Sequence, residues 1–93
     1  MKEQNRKLFY QIVAHLFDID EKAEIINEDS YWINIRTKAK YNPSIKEFGI
    51  SKLDKGRIIL YEVSSNINTF YGDFTIKSIA ELNVLLNIIS HTR

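Results

Sequence analysis

The stretch KEFGISKLDKGRIILYEV, residues 46–63, decides the fold. Two runs with strand character, Lys46 to Leu53 and Arg57 to Val63, flank Asp54, Lys55 and Gly56. A glycine closing a three-residue connection supplies the left-handed backbone that a tight hairpin needs. The second arm is apolar at both parities through Ile58, Ile59, Leu60, Tyr61 and Val63. That pattern belongs to a central strand with both faces partly covered, so the hairpin is expected in the middle of an antiparallel sheet.

Outward from the hairpin, the pattern of alternation supplies two more strands. From Tyr31 to Lys40, the residues Tyr31, Ile33, Ile35, Thr37 and Ala39 share one parity, and Trp32, Asn34, Arg36, Lys38 and Lys40 share the other. This is a half-buried strand. Asn42, Pro43 and Ser44 end it, because proline fixes φ and lacks the amide that a ladder requires. Beyond the polar run Ser64, Ser65 and Asn66, the residues Phe70, Gly72, Phe74 and Ile76 alternate with Thr69, Tyr71, Asp73, Thr75 and Lys77. A fourth strand is expected there.

Helical periodicity frames the sheet. Leu8, Phe9, Ile12, Val13, Leu16 and Phe17 recur at helical spacing, which predicts a helix from Glu3 to Phe17. The acidic segment after it is expected to form a short helical turn over Glu21 to Ile26. Ser78 and Glu81 have capping-box spacing, so a last helix starts at Ile79. Its inner stripe is Ile79, Leu82, Leu85, Leu86 and Ile89, and Val84 and Ile88 widen it. The expected fold is α+β in the order α-β-β-β-β-α. A four-stranded antiparallel sheet carries the N- and C-terminal helices packed on one face, within a single domain spanning residues 1–93.

Composition agrees with one core. Ninety-three residues with 44% hydrophobic content, three glycines and one proline have enough to bury and few breakers. There is no cysteine, which removes disulfides, thiolate metal sites and cysteine nucleophiles, and points to a reducing compartment. The start, Met1 to Arg6, leads into an amphipathic segment rather than the apolar core of a signal peptide. No stretch approaches the length of a membrane span. A cytoplasmic protein with no membrane partner is expected.

Catalytic signatures are lacking. Asp18, Asp20, Lys22 and Asp29 fall on a calcium-loop spacing, but Lys22 sets a cation where an oxygen ligand belongs and Ala23 replaces the required glycine. His15 and His91 are the only imidazoles, and neither has a carboxylate at metal-ligand spacing. Gly49, Gly56 and Gly72 are isolated, so no phosphate-binding loop is formed. No metal, cofactor or catalytic residue is expected, and the chain is read as a binder rather than an enzyme.

The charge is polarised along the chain although the net value is only +1. Asp18, Asp20, Glu21, Glu24, Glu28 and Asp29 crowd one segment, and Arg36, Lys38, Lys40, Lys46, Lys52, Lys55 and Arg57 the next. If Ile33 and Ile35 face the helices, then Trp32, Arg36, Lys38 and Lys40 lie on the opposite face of the sheet, with Tyr71 expected beside them. Aromatics among cations suit a protein interface, because Trp, Tyr and Arg anchor such surfaces. They also suit single-stranded or duplex nucleic acid, through stacking and phosphate neutralisation. The same cations serve equally to keep an uncovered sheet face soluble. The acidic group Asp18, Asp20, Glu21 and Glu24 is a second candidate surface, and the broad last helix a candidate homodimer seam.

In length and in its lack of catalytic motifs the chain resembles the small orphan proteins of phages and mobile elements, among which inhibitors of host defence such as anti-CRISPR proteins are frequent. That resemblance implies a stoichiometric binder and assigns no residue. A protein-binding module or inhibitor is therefore the first expectation, and a nucleic-acid-binding regulator using the same face is the alternative.

Overall fold

Every strand pairs with its neighbour in the chain. A computed structural model describes residues 3–38, 45–65 and 67–91, without the side chains of residues 3–5, 90 and 91. The elements are α1 (Glu3–Ile19), β1 (Glu24–Glu28), β2 (Trp32–Thr37), β3 (Ile45–Ser51), β4 (Arg57–Ser64), β5 (Ile67–Thr75) and α2 (Ile79–His91). The strands form one antiparallel sheet in the order β1-β2-β3-β4-β5.

The sheet thus has five strands, not four. The added strand, β1, occupies the segment expected to make a helical turn over Glu21 to Ile26. All five of its residues are exposed, so it shows none of the one-sided alternation by which a strand is read from sequence. Pairing holds it instead. Glu24 lies opposite Arg36 and Glu28 opposite Ile33, with a bulge between Ile25 and Asn27. The Glu24 carboxylate bridges to Lys38, and that of Glu28 meets Lys52 Nζ at 2.8 Å.

The hairpin stands where expected, with a longer turn. Strand β3 stops at Ser51, whose Oγ accepts the amides of Leu53 (3.1 Å) and Asp54 (2.9 Å) and so bends the chain before Leu53. Gly56 takes φ +72°, and a Cβ there would lie 1.9 Å from the carbonyl oxygen of Ile76. The Ile76 amide in turn donates to the Gly56 carbonyl at 2.9 Å, tying the turn to the end of β5. Only glycine fits this backbone and this approach.

One buried apolar cluster draws on both helices and the sheet. Leu8, Phe9, Ile12 and Leu16 come from α1, and Leu82, Leu85, Leu86 and Ile89 from α2. The sheet supplies Ile33, Ile35, Phe48, Ile50, Ile58 and Leu60 from alternate positions of β2, β3 and β4. We call the side of the sheet bearing these residues the inner face. In α2 the Ser78 Oγ accepts the Glu81 amide at 3.3 Å, while the Glu81 carboxylate reaches back to the Lys77 amide at 2.6 Å. The cap forms, with its return bond one residue earlier than a Ser78–Glu81 box implies. His15 Nε2 on α1 lies 2.6 Å from Oδ1 of Asn83 on α2, a polar clasp between the helices. Ala39, Lys40 and the turn at Asn42, Pro43 and Ser44 lie outside the described residues.

Candidate functional site

Strand alternation that buries Ile33 and Ile35 sends Trp32, Asn34 and Arg36 to the outer face, where each is half-buried. The register then assembles rows across the sheet. Arg36 is opposite Glu47, Glu47 opposite Tyr61 and Tyr61 opposite Phe70. In the next row Asn34 meets Gly49, Gly49 meets Ile59 and Ile59 meets Asp73. Trp32 lies opposite Ser51.

Glu47 organises the first row. It is only 5% exposed although no helix is needed to cover it. Arg36 Nε donates to its Oε1 at 2.9 Å, while Asn34 Nδ2 (3.0 Å) and Asn68 Nδ2 (3.3 Å) donate to its Oε2. Three donors replace the water that a buried carboxylate loses. Because these donors come from β2 and β5, the network joins strands that are not neighbours.

Arg57 organises the other end. Its Nη2 and Nε reach the Asp73 carboxylate at 2.9 and 3.3 Å, and Nη1 reaches Asp54 at 3.0 Å. These bonds hold the guanidinium above its ordinary pKa and the Asp73 carboxyl below its own. The fork so fixed lies 5.6 Å from the centre of the Trp32 ring, within cation–π range. Trp32 and Tyr61 flank a shallow groove of about 210 Å³, lined also by Asp29, Asn34, Gly49 and Ile59. Gly49 makes its floor low. A Cβ there would meet Asn34 Nδ2 at 3.5 Å and Trp32 Cε3 at 3.8 Å, ordinary contacts, so glycine leaves open space rather than relieving a clash. Beyond Tyr61, the Phe70 ring packs edge-on at 6.3 Å and remains 62% exposed.

The predicted site residues divide. Trp32 and Arg36 lie together on the outer face. Lys38 follows β2, donating its amide to Asp20 Oδ2 at 2.9 Å while its ammonium pairs with Glu24. Lys40 lies outside the described residues. Tyr71, expected beside Trp32, is elsewhere: it packs on the buried cluster and sits under Lys46 Nζ, 5.8 Å from the ring centre. A bulge causes this. Leu60 pairs with Gly72 but Tyr61 pairs with Phe70, so one residue of β5 is skipped and the parity reverses. Phe70 takes the outer position, and the isolated Gly72 within the strand was the available signal.

The acidic surface is also revised. Asp20 is 2% exposed, with Oδ1 accepting the Lys22 amide at 2.9 Å and Oδ2 that of Lys38. It is a structural cap. Asp18 and Glu21 are exposed, and Glu24 is engaged with Lys38. The oppositely charged segments are therefore partners in space, since β1 lies alongside β2. Lys52 Nζ bonds both Glu28 and the Asp29 carbonyl, and the buried Lys46 ammonium meets Glu62 at 3.3 Å. Among the described residues, Arg36, Lys38 and Arg57 on the outer face each face a carboxylate. The face is aromatic and charge-paired rather than basic.

Sequence reasoning passed over Ile59, Tyr61, Phe70, Glu47 and Arg57 as outer-face residues. No family model, curated protein or solved structure matches this chain. Among the described residues no helix is long and apolar enough to cross a membrane.

Proposed function

We propose that this chain is a non-enzymatic binding module that engages a protein partner stoichiometrically through its outer sheet face, in the manner of an inhibitor. Residues of both helices share the buried cluster of the inner face, which supports reading the outer face as the surface that meets the partner. The observation that carries the reading is the groove between Trp32 and Tyr61, continued by the exposed Phe70 on one rigid sheet. Rigid aromatics flanking a low floor are what interface hot spots are made of, because they bury much area with little side-chain entropy to lose. Ion pairing favours protein over nucleic acid. Affinity for phosphates comes from cations that release condensed counterions, and the described outer-face cations are already neutralised by Glu47, Glu24, Asp54 and Asp73.

Affinity capture from a lysate with and without nuclease, followed by titration of the captured protein, tests this. Retention after nuclease is expected, with Trp32→Ala or Phe70→Ala weakening the complex at least about tenfold while folding is kept. Capture abolished by nuclease, with affinity falling steeply as salt rises, would replace the protein reading by the nucleic-acid one. Unchanged affinity in the double variant would remove the outer face as the site.

A further inference from the structure

Lys7 on α1, Lys55 in the turn between β3 and β4, and Lys77 just after β5 line one surface pocket of about 190 Å³, together with Leu8 and Gln11. They are distant in sequence, and the turn at Gly56 gathers them. The Gly56 carbonyl accepts the Ile76 amide at 2.9 Å. Lys55 precedes Gly56 and Lys77 follows Ile76, so one backbone bond holds both lysines at the pocket. Leu8 Cδ2 lies 3.2 Å from where a Cβ on Gly56 would stand, which sets α1, and Lys7 with it, against the same turn.

Backbone packing thus keeps three like charges together, which costs free energy wherever no opposite charge answers them. Among the described residues, Arg36, Lys38, Lys46, Lys52 and Arg57 are each ion-paired, whereas no described carboxylate pairs with Lys7, Lys55 or Lys77. The acids closest in sequence are used otherwise. Asp54 bonds Arg57, Glu81 accepts the Lys77 amide, and neither lines the pocket.

We propose that this pocket binds a phosphoryl group, with the three ammoniums as its charge partners and the Gln11 side-chain amide as a further donor. The donors select this class of ligand. A carboxylate is best met by the planar fork of arginine, and no arginine lines the pocket. Ammoniums are compact point charges that need no common plane, so three of them from different elements suit a tetrahedral oxyanion whose oxygens point several ways. Size limits what else enters. A volume of about 190 Å³ falls below the roughly 300–1,000 Å³ of sites that enclose a drug-sized ligand. The pocket therefore takes the phosphoryl group and leaves any larger carrier outside. A nucleic-acid backbone asks for a track of cations along its repeating phosphates, and these three lysines converge on one point instead.

Titration of inorganic phosphate into the isotope-labelled chain at constant ionic strength, followed through amide and lysine-ammonium chemical shifts, tests the proposal. Saturable shifts centred on Lys55, Gly56 and Lys77 are expected at millimolar phosphate, with acetate and chloride giving none. Lys55→Gln and Lys77→Gln, both at exposed positions, are expected to keep the circular dichroism spectrum. Each is expected to raise the phosphate dissociation constant about threefold. Lys22→Gln, at an exposed lysine outside the pocket, is expected to leave it unchanged. O-phosphoserine and ADP are the further probes, and tighter binding of either than of phosphate identifies the carrier of the group. No saturation overturns the proposal, as does an equal response to acetate or an unchanged constant in the Lys55→Gln, Lys77→Gln double variant. An oligonucleotide that binds these lysines while phosphate, phosphoserine and ADP do not also overturns it, in favour of a backbone track. The pocket shares no lining residue with the groove beside Trp32, so Lys55→Gln is expected to keep partner capture, and the two readings fail independently.

Discussion

The two faces of one sheet bury their residues by different means. On the inner face Ile35, Phe48, Ile58 and Leu60 are wholly buried among apolar side chains from the helices. On the outer face Glu47 is nearly as inaccessible, yet what encloses it is Arg36, Asn34 and Asn68. Apolar burial is non-directional and scales with area, whereas the outer network depends on a few oriented bonds. The inner face therefore sets whether the chain folds. The outer face sets how strands two apart are held.

The largest effect expected from this contrast is at Phe48. Its side chain is fully buried at the middle of β3, and Phe48→Ala removes the ring and leaves a cavity, a loss of about 3–5 kcal/mol in stability. Chemical denaturation with an unchanged slope is the check. A loss under about 1 kcal/mol would show that the inner face is loosely packed.

Glu47→Ala comes next. It removes the acceptor that Arg36, Asn34 and Asn68 share, and the expected loss is about 2–3 kcal/mol, since hydrogen bonds to a charged group contribute more than neutral ones. The discriminating outcome is Glu47→Gln. It keeps one carbonyl acceptor, turns the other oxygen into an amide donor and removes the charge, and is expected to lose about half as much. Equal losses in both variants would mean that charge pairing with Arg36, not the shared network, holds the outer face.

How much of this was legible in the sequence follows the same division. Strands β3 and β4 were read as a hairpin with no face assigned to Phe48, Ile50, Ile58 or Leu60, whereas in β2 the alternation of Ile33 and Ile35 with Trp32, Asn34 and Arg36 made the inner side legible. Two-sided strands were not. Strand β1 has no buried side, so Glu24 to Glu28 gave no periodicity and only its pairing to β2 defines it. Parity counting also failed across the β5 bulge, which moved Tyr71 inward and Phe70 outward. The acidic and basic segments were visible as charge blocks. That they neutralise each other depended on β1 lying beside β2, a tertiary fact, and so the outer face read as basic although its described cations are paired.

Trp32→Ala has a smaller effect on stability than either earlier change. The ring is half-buried and its visible partner is the Arg57 guanidinium at 5.6 Å. Loss of partial burial and a surface cation–π contact comes to about 1 kcal/mol, read as a shift of a few degrees in thermal midpoint. A loss of 3 kcal/mol or more would place Trp32 among the residues that hold the fold, and the contrast between the faces would shrink to one of polarity alone.

The smallest effect is an acid limb that belongs to the outer face. Hydrogen bonds from Arg57 hold the Asp73 carboxyl below its ordinary value of 3.8. Asp29 is likewise lowered, first by the backbone amides of Tyr31 and Trp32 and then by the field of Lys52. A carboxyl whose folded pKa is depressed binds protons more readily when unfolded. Its contribution is therefore complete above about pH 4 and is lost as pH falls through the lower, folded value. Arg57, raised above its ordinary pKa, stays charged throughout this window, so the carboxylates alone titrate. The apolar cluster of the inner face contains no titrating residue and adds no slope. Thermal midpoints measured from pH 6 down to pH 2.5 are expected to fall below about pH 4, and Asp73→Asn to lower the plateau while flattening that fall. An identical acid limb in wild type and Asp73→Asn would mean that the Arg57 clamp under Trp32 is not formed in solution, because a carboxylate held by two guanidinium bonds cannot be removed without trace.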